Sequence, residues 1–307
     1  MERFEVTILD CGSATPTQRH NPSAQIVNIH DKLSLVDCGE GTQLQMRNYR
    51  QKFMALRTVF ISHLHGDHCL GLTGLISTFG LLGRTRDFHV FAHVSLQSLL
   101  EAQLRMFCHN LDFEVVFHAV DPKQFAVIYE DRTMEVWSLP LKHSMPSNGF
   151  LFREKPGLPH INREMTDCYN IPVCYLNNIK SGQDWTMPDG RVIPNSRLTT
   201  PPEPPRSYAY CSDTAYLPSL AKLVKGVDLL YHEATYDDSQ AAKAKKHMHS
   251  TAGQAATIAR QAEVGQLMIG HYSASYDSVS LLLNQARDVF PDTIAADEGL
   301  TVKVTKP

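Results

Sequence analysis

Residues 58–74 read TVFISHLHGDHCLGLTG, and this stretch decides how the rest of the chain is interpreted. A β-rich run leads directly into HLHGDH, so four possible metal ligands fall within six residues. Imidazole nitrogens and carboxylate oxygens both suit zinc, and a loop after a buried strand can aim them inward. His63 and His65 can point one way, whereas Asp67 and His68 point toward a second position. The spacing therefore predicts two adjacent metal ions.

Composition is typical of a soluble globular protein with a sizeable core, at 307 residues, 43% hydrophobic and 20% charged. No apolar run approaches the ~20 residues of a membrane helix. The N-terminus carries charges and no signal-peptide core, so we expect a cytoplasmic protein without a membrane partner. Seven scattered cysteines without a CxxC pair favour reduced thiols, and Cys69 beside the cluster is read as a small buried hydrophobe. The net charge of −3 gives no global basic field, so any nucleic acid would bind a local patch.

Strands and helices are expected in mixed order. Alternating or apolar runs predict strands at residues 4–10, 24–30, 32–37 and 88–94, with several more inside 113–142. Helices are predicted at 43–56, from the metal loop to about 82, at 95–108 and at 252–263. Several β segments follow one another without an intervening helix. This order predicts an α/β layered fold with mixed sheets.

The stretch from Lys155 to Pro205 differs in character. It is rich in proline, has few apolar runs and shows no clear period. Between Arg153 and Arg206 it carries seven basic and six acidic side chains. An insertion of this length within a compact domain is usually functional or disordered.

Further ligand-type residues stand where predicted apolar strands end. His143 follows EVWSLPLK, Asp213 follows SYAYCS, and His271 follows QLMIG. Strand ends on one edge of a sheet converge, so these three can complete a site begun by the HLHGDH loop. Each alone is weak evidence, because a single histidine at a strand end is more often structural. Together the seven side chains suffice for two metal ions if one carboxylate bridges them.

The HLHGDH stretch matches the HxHxDH signature of the metallo-β-lactamase superfamily, and the chain closely resembles the ribonuclease Z family within it. The metal signature alone specifies the superfamily, and the other motifs in this order specify the family. These motifs are GSATP (12–16), NPS (21–23), DCGEGTQ (37–43), KH (142–143), SDT (212–214), HEAT (232–235), HST (249–251) and His271.

The resemblance implies an αββα sandwich, with two mixed sheets flanked by helices and two zinc ions per subunit. It places His63, His65 and His143 on one zinc, and Asp67, His68 and His271 on the other, with Asp213 between them. It also implies one catalytic domain over residues 1–307 with an inserted tRNA-binding arm at about 153–197. The subunit would form a homodimer in which the arm of one clamps precursor tRNA on the other.

The chemistry expected of such a site is hydrolysis of a phosphodiester after the tRNA discriminator base. Asp67 can orient the attacking water and accept a proton from it. His249 is the candidate general acid for the ribose 3′-oxygen, with Glu233 to fix its tautomer and raise its basicity. The alternative for His249 is a role beside the start of the helix that begins near Ser250. The run Lys243 to His247 can meet phosphates or be a solvated helix face.

The chain departs from the family pattern at two places. Where many relatives carry a Gly-Pro-rich turn in the arm, residues 171–176 read IPVCYL. Ser275 stands four residues after His271, where the family often has arginine. Two other functions stay open at this point: hydrolysis of a small substrate such as an arylsulfate ester or cyclic nucleotide, and a non-catalytic RNA-binding scaffold with structural zinc. Seven ligands argue against the scaffold, since structural zinc sites usually close with four.

Overall fold

The computed structural model describes residues 2–306, which divide into two compact units, one of residues 2–153 with 206–306 and one of Glu154–Pro205. The larger unit contains two seven-stranded sheets. The first sheet is ordered β18-β1-β2-β3-β4-β5-β6. Its strands are β1 (Phe4–Asp10), β2 (Ala24–Ile29), β3 (Lys32–Val36), β4 (Leu56–Phe60), β5 (Phe88–Ala92), β6 (Val115–Ala119) and β18 (Thr301–Lys303).

The second sheet is ordered β17-β16-β15-β14-β9-β8-β7. Its strands are β7 (Ala126–Glu130), β8 (Met134–Pro140), β9 (Asn148–Glu154), β14 (Ser207–Cys211), β15 (Leu229–Glu233), β16 (Gln266–Gly270) and β17 (Thr293–Ala295). Both sheets are mixed. In the first, β3 to β6 run parallel while β1, β2 and β18 pair antiparallel. In the second, β14 to β17 run parallel and β14 pairs antiparallel with β9.

Aromatic side chains from the two sheets meet in a shared core. Phe60 of β4 stacks on Phe91 of β5 at 4.8 Å between ring centroids, and it contacts Phe150 and Phe152 of β9 at 5.4 Å each. These rings are at most 3% exposed. Full burial of such a side chain contributes about 1.5–3 kcal/mol, so this contact stabilises the stacking of one sheet on the other.

Helices cover the outer faces of both sheets. Outside the insertion they are α1 (Thr42–Asn48), α2 (Gly66–Cys69), α3 (Leu72–Leu81), α4 (Ser95–Phe107), α8 (Leu220–Leu223), α9 (Ala241–His247), α10 (Ala252–Gln261) and α11 (Ser280–Val289). Leu72, Leu75 and Phe79 of α3 pack in the core of the first sheet, and the alanines of α10 pack in that of the second. The predicted αββα sandwich with mixed sheets is confirmed.

The predicted helix at 43–56 is too long. Helix α1 ends at Asn48, a short 3-10 turn covers Phe53–Ala55, and β4 already begins at Leu56. Arg50 lies in the left-handed region at φ 54°, which ends the helix.

No helix within residues 2–306 is long and apolar enough to cross a membrane.

The unit Glu154–Pro205 consists of short elements. They are β10 (His160–Ile161), α5 (Arg163–Cys168), α6 (Leu176–Lys180), β11 (Trp185–Thr186), β12 (Val192–Ile193), α7 (Asn195–Leu198) and β13 (Thr199–Thr200). Strand β10 pairs with β13, and β11 with β12. Its core consists of five buried side chains, Ile171, Leu176, Ile179, Ile193 and Leu198.

Candidate metal centre

The seven side chains predicted as metal ligands lie together at strand ends. The HLHGDH residues follow β4, His143 follows β8, Asp213 follows β14 and His271 follows β16. Potential ligand atoms of these residues form two groups, each within 4.8 Å. One group holds His63, His65, His143 and Asp213, and the other holds Asp67, His68 and His271.

Asp213 lies between the two groups. Its Oδ1 is 3.7 Å from Nε2 of His143 and 3.9 Å from Nε2 of His63. Its Oδ2 is 3.0 Å from Nε2 of His68 and 3.2 Å from Nε2 of His271. Each carboxylate oxygen therefore faces one group, which is the arrangement a bridging ligand requires.

The imidazole nitrogens of the site converge on one another and on the two carboxylates. Nε2 of His63 lies 2.9 Å from Nδ1 of His65, which lies 3.3 Å from Nε2 of His143. Nε2 of His68 and of His271 are buried and lie 3.0 and 3.2 Å from Oδ2 of Asp213, but neither meets the geometry of a hydrogen bond with any of residues 2–306. Buried polar atoms are normally paired. Five converging imidazoles with two carboxylates fit divalent cations that prefer nitrogen and oxygen ligands.

A buried carboxylate, Asp37 at the end of β3, holds the histidines on one side. It accepts a hydrogen bond from Nδ1 of His68 at 2.7 Å and from the Tyr210 hydroxyl at 2.6 Å. The Ser62 backbone N–H and hydroxyl also donate to it, at 2.7 and 2.9 Å. The Ser62 hydroxyl in turn lies 3.0 Å from Nδ1 of His63. Asp37 thus fixes the tautomers that turn Nε2 of both histidines toward the centre.

A second buried carboxylate, Glu233 at the end of β15, orients histidine rings on the opposite side of the ligand cluster. Its oxygens lie 3.0 and 3.2 Å from Nδ1 of His249. They also accept from the Thr214 N–H at 2.6 Å, the Ser250 N–H at 3.1 Å and the Thr235 hydroxyl at 2.6 Å. The Thr235 hydroxyl lies 3.0 Å from Nδ1 of His271. Glu233 therefore holds His249 directly and His271 through one hydroxyl.

Backbone conformation at the site is unusual. Asp37, Asp213 and His271 have φ of 57°, 57° and 59°, and Met248 has φ 60°. Left-handed backbone in such residues costs on the order of 1–3 kcal/mol each and occurs most often at functional sites. The Met248 carbonyl accepts from Nδ1 of His143 at 3.0 Å, which leaves Nε2 of that histidine facing the centre.

The pKa shifts at the site run in both directions. Burial lowers the pKa of His68, but the charges of Asp213 and Asp37 outweigh it and raise the pKa overall. Burial lowers the pKa of His63 and of His143, which keeps both imidazoles neutral. Burial raises the pKa of Asp67, but the neighbouring imidazoles of His271 and His68 outweigh it and lower the pKa overall. Burial lowers the pKa of His249, but the Glu233 charge and hydrogen bond outweigh it and raise the pKa to about 9.

His249 faces a cavity of ≈ 650 Å³ together with His65, Asp67 and His271. Helix α10 begins after Thr251, whose side chain and that of Gln254 form a capping box. Thr251 is the N-cap, so His249 does stand beside the start of the helix, two residues before the cap, and its ring is held by Glu233. Lys246 and His247 also line this cavity, while Lys243 lies over the Tyr236 ring at 4.9 Å.

The side chains that orient the histidines are not predicted from the sequence. Asp37, Ser62, Thr235 and Tyr210 were assigned no role, although Asp37 ends a strand in the same way as Asp213. That strand-end pattern was the available signal for Asp37. Nothing comparable marks Tyr210, which reaches Asp37 from the other sheet.

Comparison with known proteins shows the family to which the chain belongs. Ribonuclease Z of Bacteroides fragilis is 54% identical over 304 residues, covering 99% of this chain and 100% of that protein. The chain belongs to the ribonuclease Z family. The family model described as "Anti-Pycsar protein Apyc1" matches residues 4–158, which include the HLHGDH loop but not most of the insertion. The resemblance to the ribonuclease Z family inferred from the motifs is confirmed.

Solved structures agree on the fold of this ribonuclease Z family member. The crystal structure of human tRNase Z, short form, is 25% identical with a TM-score of 0.72, covering 98% of this chain and 99% of that one. The metallo-beta-lactamase fold protein YhfI from Bacillus subtilis has a TM-score of 0.68 at 17% identity, covering 98% of this chain and 100% of that one. The second likeness concerns the fold alone.

Proposed function

We propose that this chain is a zinc-dependent endoribonuclease that removes the 3′ trailer of precursor tRNA. It would hydrolyse the phosphodiester after the discriminator base, leaving a 3′-hydroxyl on the tRNA and a 5′-phosphate on the trailer. Full-length similarity to ribonuclease Z supports the substrate. The observation that carries the reaction is the position of His249, held by Glu233 at 3.0 Å beside two groups of potential metal ligands.

In this proposal the ligand groups hold two zinc ions. His63, His65 and His143 would hold one, Asp67, His68 and His271 would hold the other, and Asp213 would serve both. When bound, such a pair activates water and stabilises the charge of an in-line displacement at phosphorus. The separation of the two oxygens of Asp213 between the groups supports the bridging role.

The protein side chains then move the protons. Asp67 accepts a proton from the attacking water molecule as the water oxygen forms a bond to phosphorus. His249 donates a proton to the ribose 3′-oxygen as the P–O3′ bond breaks, because an alkoxide is a poor leaving group. Glu233 orients the imidazole of His249 through Nδ1, so the opposite nitrogen can face the leaving group.

RNA would be bound by local patches rather than by net charge. Lys246 and His247 line the cavity of the site and can meet phosphates there. We assign the tRNA-binding arm to the insertion at about 153–197, within the compact unit Glu154–Pro205. We further propose that the enzyme acts in the cytoplasm as a homodimer.

Mapping the cut on a 3′-extended precursor tRNA tests the proposed function. With zinc supplied, we expect one product that ends in a 3′-hydroxyl at the discriminator and a trailer with a 5′-phosphate. Chelation of the metal should abolish the cut, and added zinc should restore it. Absence of cleavage with zinc present would refute the proposal.

The alternative is a small-substrate phosphodiesterase or arylsulfatase of the same superfamily, and a cavity of ≈ 650 Å³ has the size of a small-molecule site. Deletion of the arm distinguishes this function from the cleavage of precursor tRNA. Arg153 and Ser207 lie opposite each other on β9 and β14, so residues 155–204 can be replaced by a short Gly-Ser turn. We expect the deletion to abolish tRNA cleavage while hydrolysis of bis(p-nitrophenyl) phosphate continues. Unchanged tRNA cleavage would refute the assigned role of the arm.

A further inference from the structure

Two histidines outside the metal centre face each other on neighbouring strands of the first sheet. His89 lies on β5 and His118 on β6, and these strands pair in parallel. Nδ1 of His89 is 3.0 Å from Nε2 of His118. Neither residue belongs to the ligand groups of the metal centre, and neither lines the ≈ 650 Å³ cavity beside it. The proposed hydrolysis therefore assigns no role to this histidine pair.

The two rings are held in position by the sheet and by stacking. His118 stacks on Phe91 with 4.3 Å between ring centroids and 8° between ring planes, and Phe91 stacks in turn on Phe60 at 4.8 Å. His89 is paired with Thr58 of β4 in the strand register. Both histidines are half-buried, so solvent reaches the pair. Rings held in this way lose little conformational freedom when they bind a ligand.

The distance between the facing nitrogens suits a metal ion. Imidazole nitrogens bind transition metals at about 2.0–2.1 Å. Two such bonds from nitrogens 3.0 Å apart enclose an angle of about 90° at the metal. A tetrahedral angle of about 109° needs nitrogens about 3.4 Å apart. Right angles are typical of square-planar and octahedral ions, so the pair favours Ni²⁺ or Cu²⁺ over Zn²⁺.

The protonation state of the pair agrees with metal binding. A neutral imidazole carries one N–H, on either of its nitrogens. When each ring carries this proton on its outer nitrogen, both facing nitrogens present lone pairs to one point. Burial and the charge of His89 lower the pKa of His118, which favours the neutral form that a metal ligand must have.

The pair would supply the whole protein contribution to such a site. Within the described part of the chain, no third histidine, cysteine or carboxylate forms a ligand group with His89 and His118. Water would fill the remaining coordination positions. Loss of either imidazole should therefore remove half of the protein ligands.

We propose that His89 and His118 form a further metal site, which binds one square-planar or octahedral divalent ion of the Ni²⁺ or Cu²⁺ class. The ion would link β6, which is the edge strand of the first sheet, to β5. This inference is independent of the cleavage of RNA.

The nickel content of the zinc-loaded protein provides the test. After equilibrium dialysis against Ni²⁺, mass spectrometry should find one more nickel ion per chain in the wild type than in His89→Asn or His118→Asn. Each variant should bind this ion at least about tenfold more weakly, since loss of even an outer partner of a ligand costs about 10–100-fold in affinity. Zinc content should be equal in all three proteins.

The matched control is His109→Asn, which removes an exposed histidine that follows α4. It should bind nickel as the wild type does. Equal nickel contents in the wild type and in both pair variants would overturn the site. A nickel difference matched by an opposite difference in zinc would place the ion at the metal centre and overturn the site as well.

A second measurement uses the wild type alone and needs no folded variant. Diethyl pyrocarbonate modifies accessible neutral imidazoles, and peptide mass spectrometry gives the rate at each histidine. At a Ni²⁺ concentration about ten times the dissociation constant, modification of His89 and His118 should slow about tenfold, because only the unoccupied pair reacts. The rate at His109 should not change. Equal rates at His89 and His118 with and without Ni²⁺ would refute the proposed site.

Discussion

Asp37 and Glu233 are two buried carboxylates at strand ends of opposite sheets, and they divide the support of the metal centre between them. Asp37 holds His68 directly and His63 through Ser62, and both histidines belong to the ligand groups. Glu233 holds His271 through Thr235 but also contacts His249, the candidate acid. From this difference we expect Asp37 to support metal binding, and Glu233 to support both metal binding and proton transfer.

The largest expected effect comes from removing the acid on the Glu233 side. His249→Ala should lower the rate of a single-turnover cleavage of precursor tRNA about 10²–10⁴-fold at saturating zinc. Metal content, measured by mass spectrometry, should stay at the wild-type level. His109→Ala, at an exposed position after α4, is the control. Near-normal cleavage by His249→Ala would remove this residue from the mechanism.

Substitution of Asp37 should act through metal binding. Asp37→Asn removes an acceptor from His68 and places an N–H₂ group among four donors, so zinc affinity should fall about 10–100-fold. A competition titration with a chromophoric chelator measures the change. Asp31→Asn, at a side chain that is 77% exposed, should bind zinc as the wild type does. Equal affinities for both variants would show that Asp37 does not support the ligands.

A third buried carboxyl group, that of Asp10, shows by contrast what the donors around Glu233 achieve. Oδ1 of Asp10 accepts from Gln45 at 2.9 Å, but its Oδ2 has no hydrogen-bond partner among residues 2–306. Burial, with the nearby Glu298 charge, raises the pKa of Asp10 to about 7. Burial acts on Glu233 in the same direction, but the His249 charge and hydrogen bond lower its pKa overall.

Asp10 therefore predicts a pH dependence of stability. Folded Asp10 keeps its proton up to about pH 7, whereas the unfolded chain loses it near the ordinary value of 3.8, so stability falls as pH rises between them. From about pH 5.5 to about pH 8.5 the free energy of unfolding should fall by about 2 kcal/mol more in the wild type than in Asp10→Asn. Urea titrations at both pH values measure this. The exposed Asp288→Asn should follow the wild type, and a decline in Asp10→Asn equal to that of the wild type would contradict the account.

A smaller effect is expected from one donor to Asp37. Tyr210→Phe removes the 2.6 Å hydrogen bond and should lower the free energy of unfolding by about 1–2 kcal/mol. Tyr231→Phe is the matched control, because Tyr231 stacks on Tyr210 at 5.0 Å and its hydroxyl has no partner among the described residues. Both substitutions keep the ring and delete one buried hydroxyl, so equal destabilisation of the two variants would mean that the hydrogen bond to Asp37 makes no contribution of its own.

The sequence predicted the parts of the site that local pattern encodes. HLHGDH is contiguous, and His143, Asp213 and His271 each end an apolar strand, so sheet geometry alone brings them together. Glu233 and His249 came from family motifs. Ser62, Thr235 and Tyr210 could not be found in this way, because their hydrogen bonds join elements that only the fold brings together. The short elements of Glu154–Pro205, two to six residues each, are too brief to show a period.

The different roles of Asp37 and Glu233 are tested most directly by zinc titrations of precursor tRNA cleavage, with Asp37→Asn and Glu233→Gln measured side by side. Thermal melts establish that both variants are folded. We predict that cleavage by Asp37→Asn shifts to higher zinc and then approaches the wild-type plateau. Cleavage by Glu233→Gln should stay at least about tenfold lower at every zinc concentration, because added metal cannot reorient His249. Recovery of Glu233→Gln by zinc, or a plateau of Asp37→Asn as low as that of Glu233→Gln, would contradict the account.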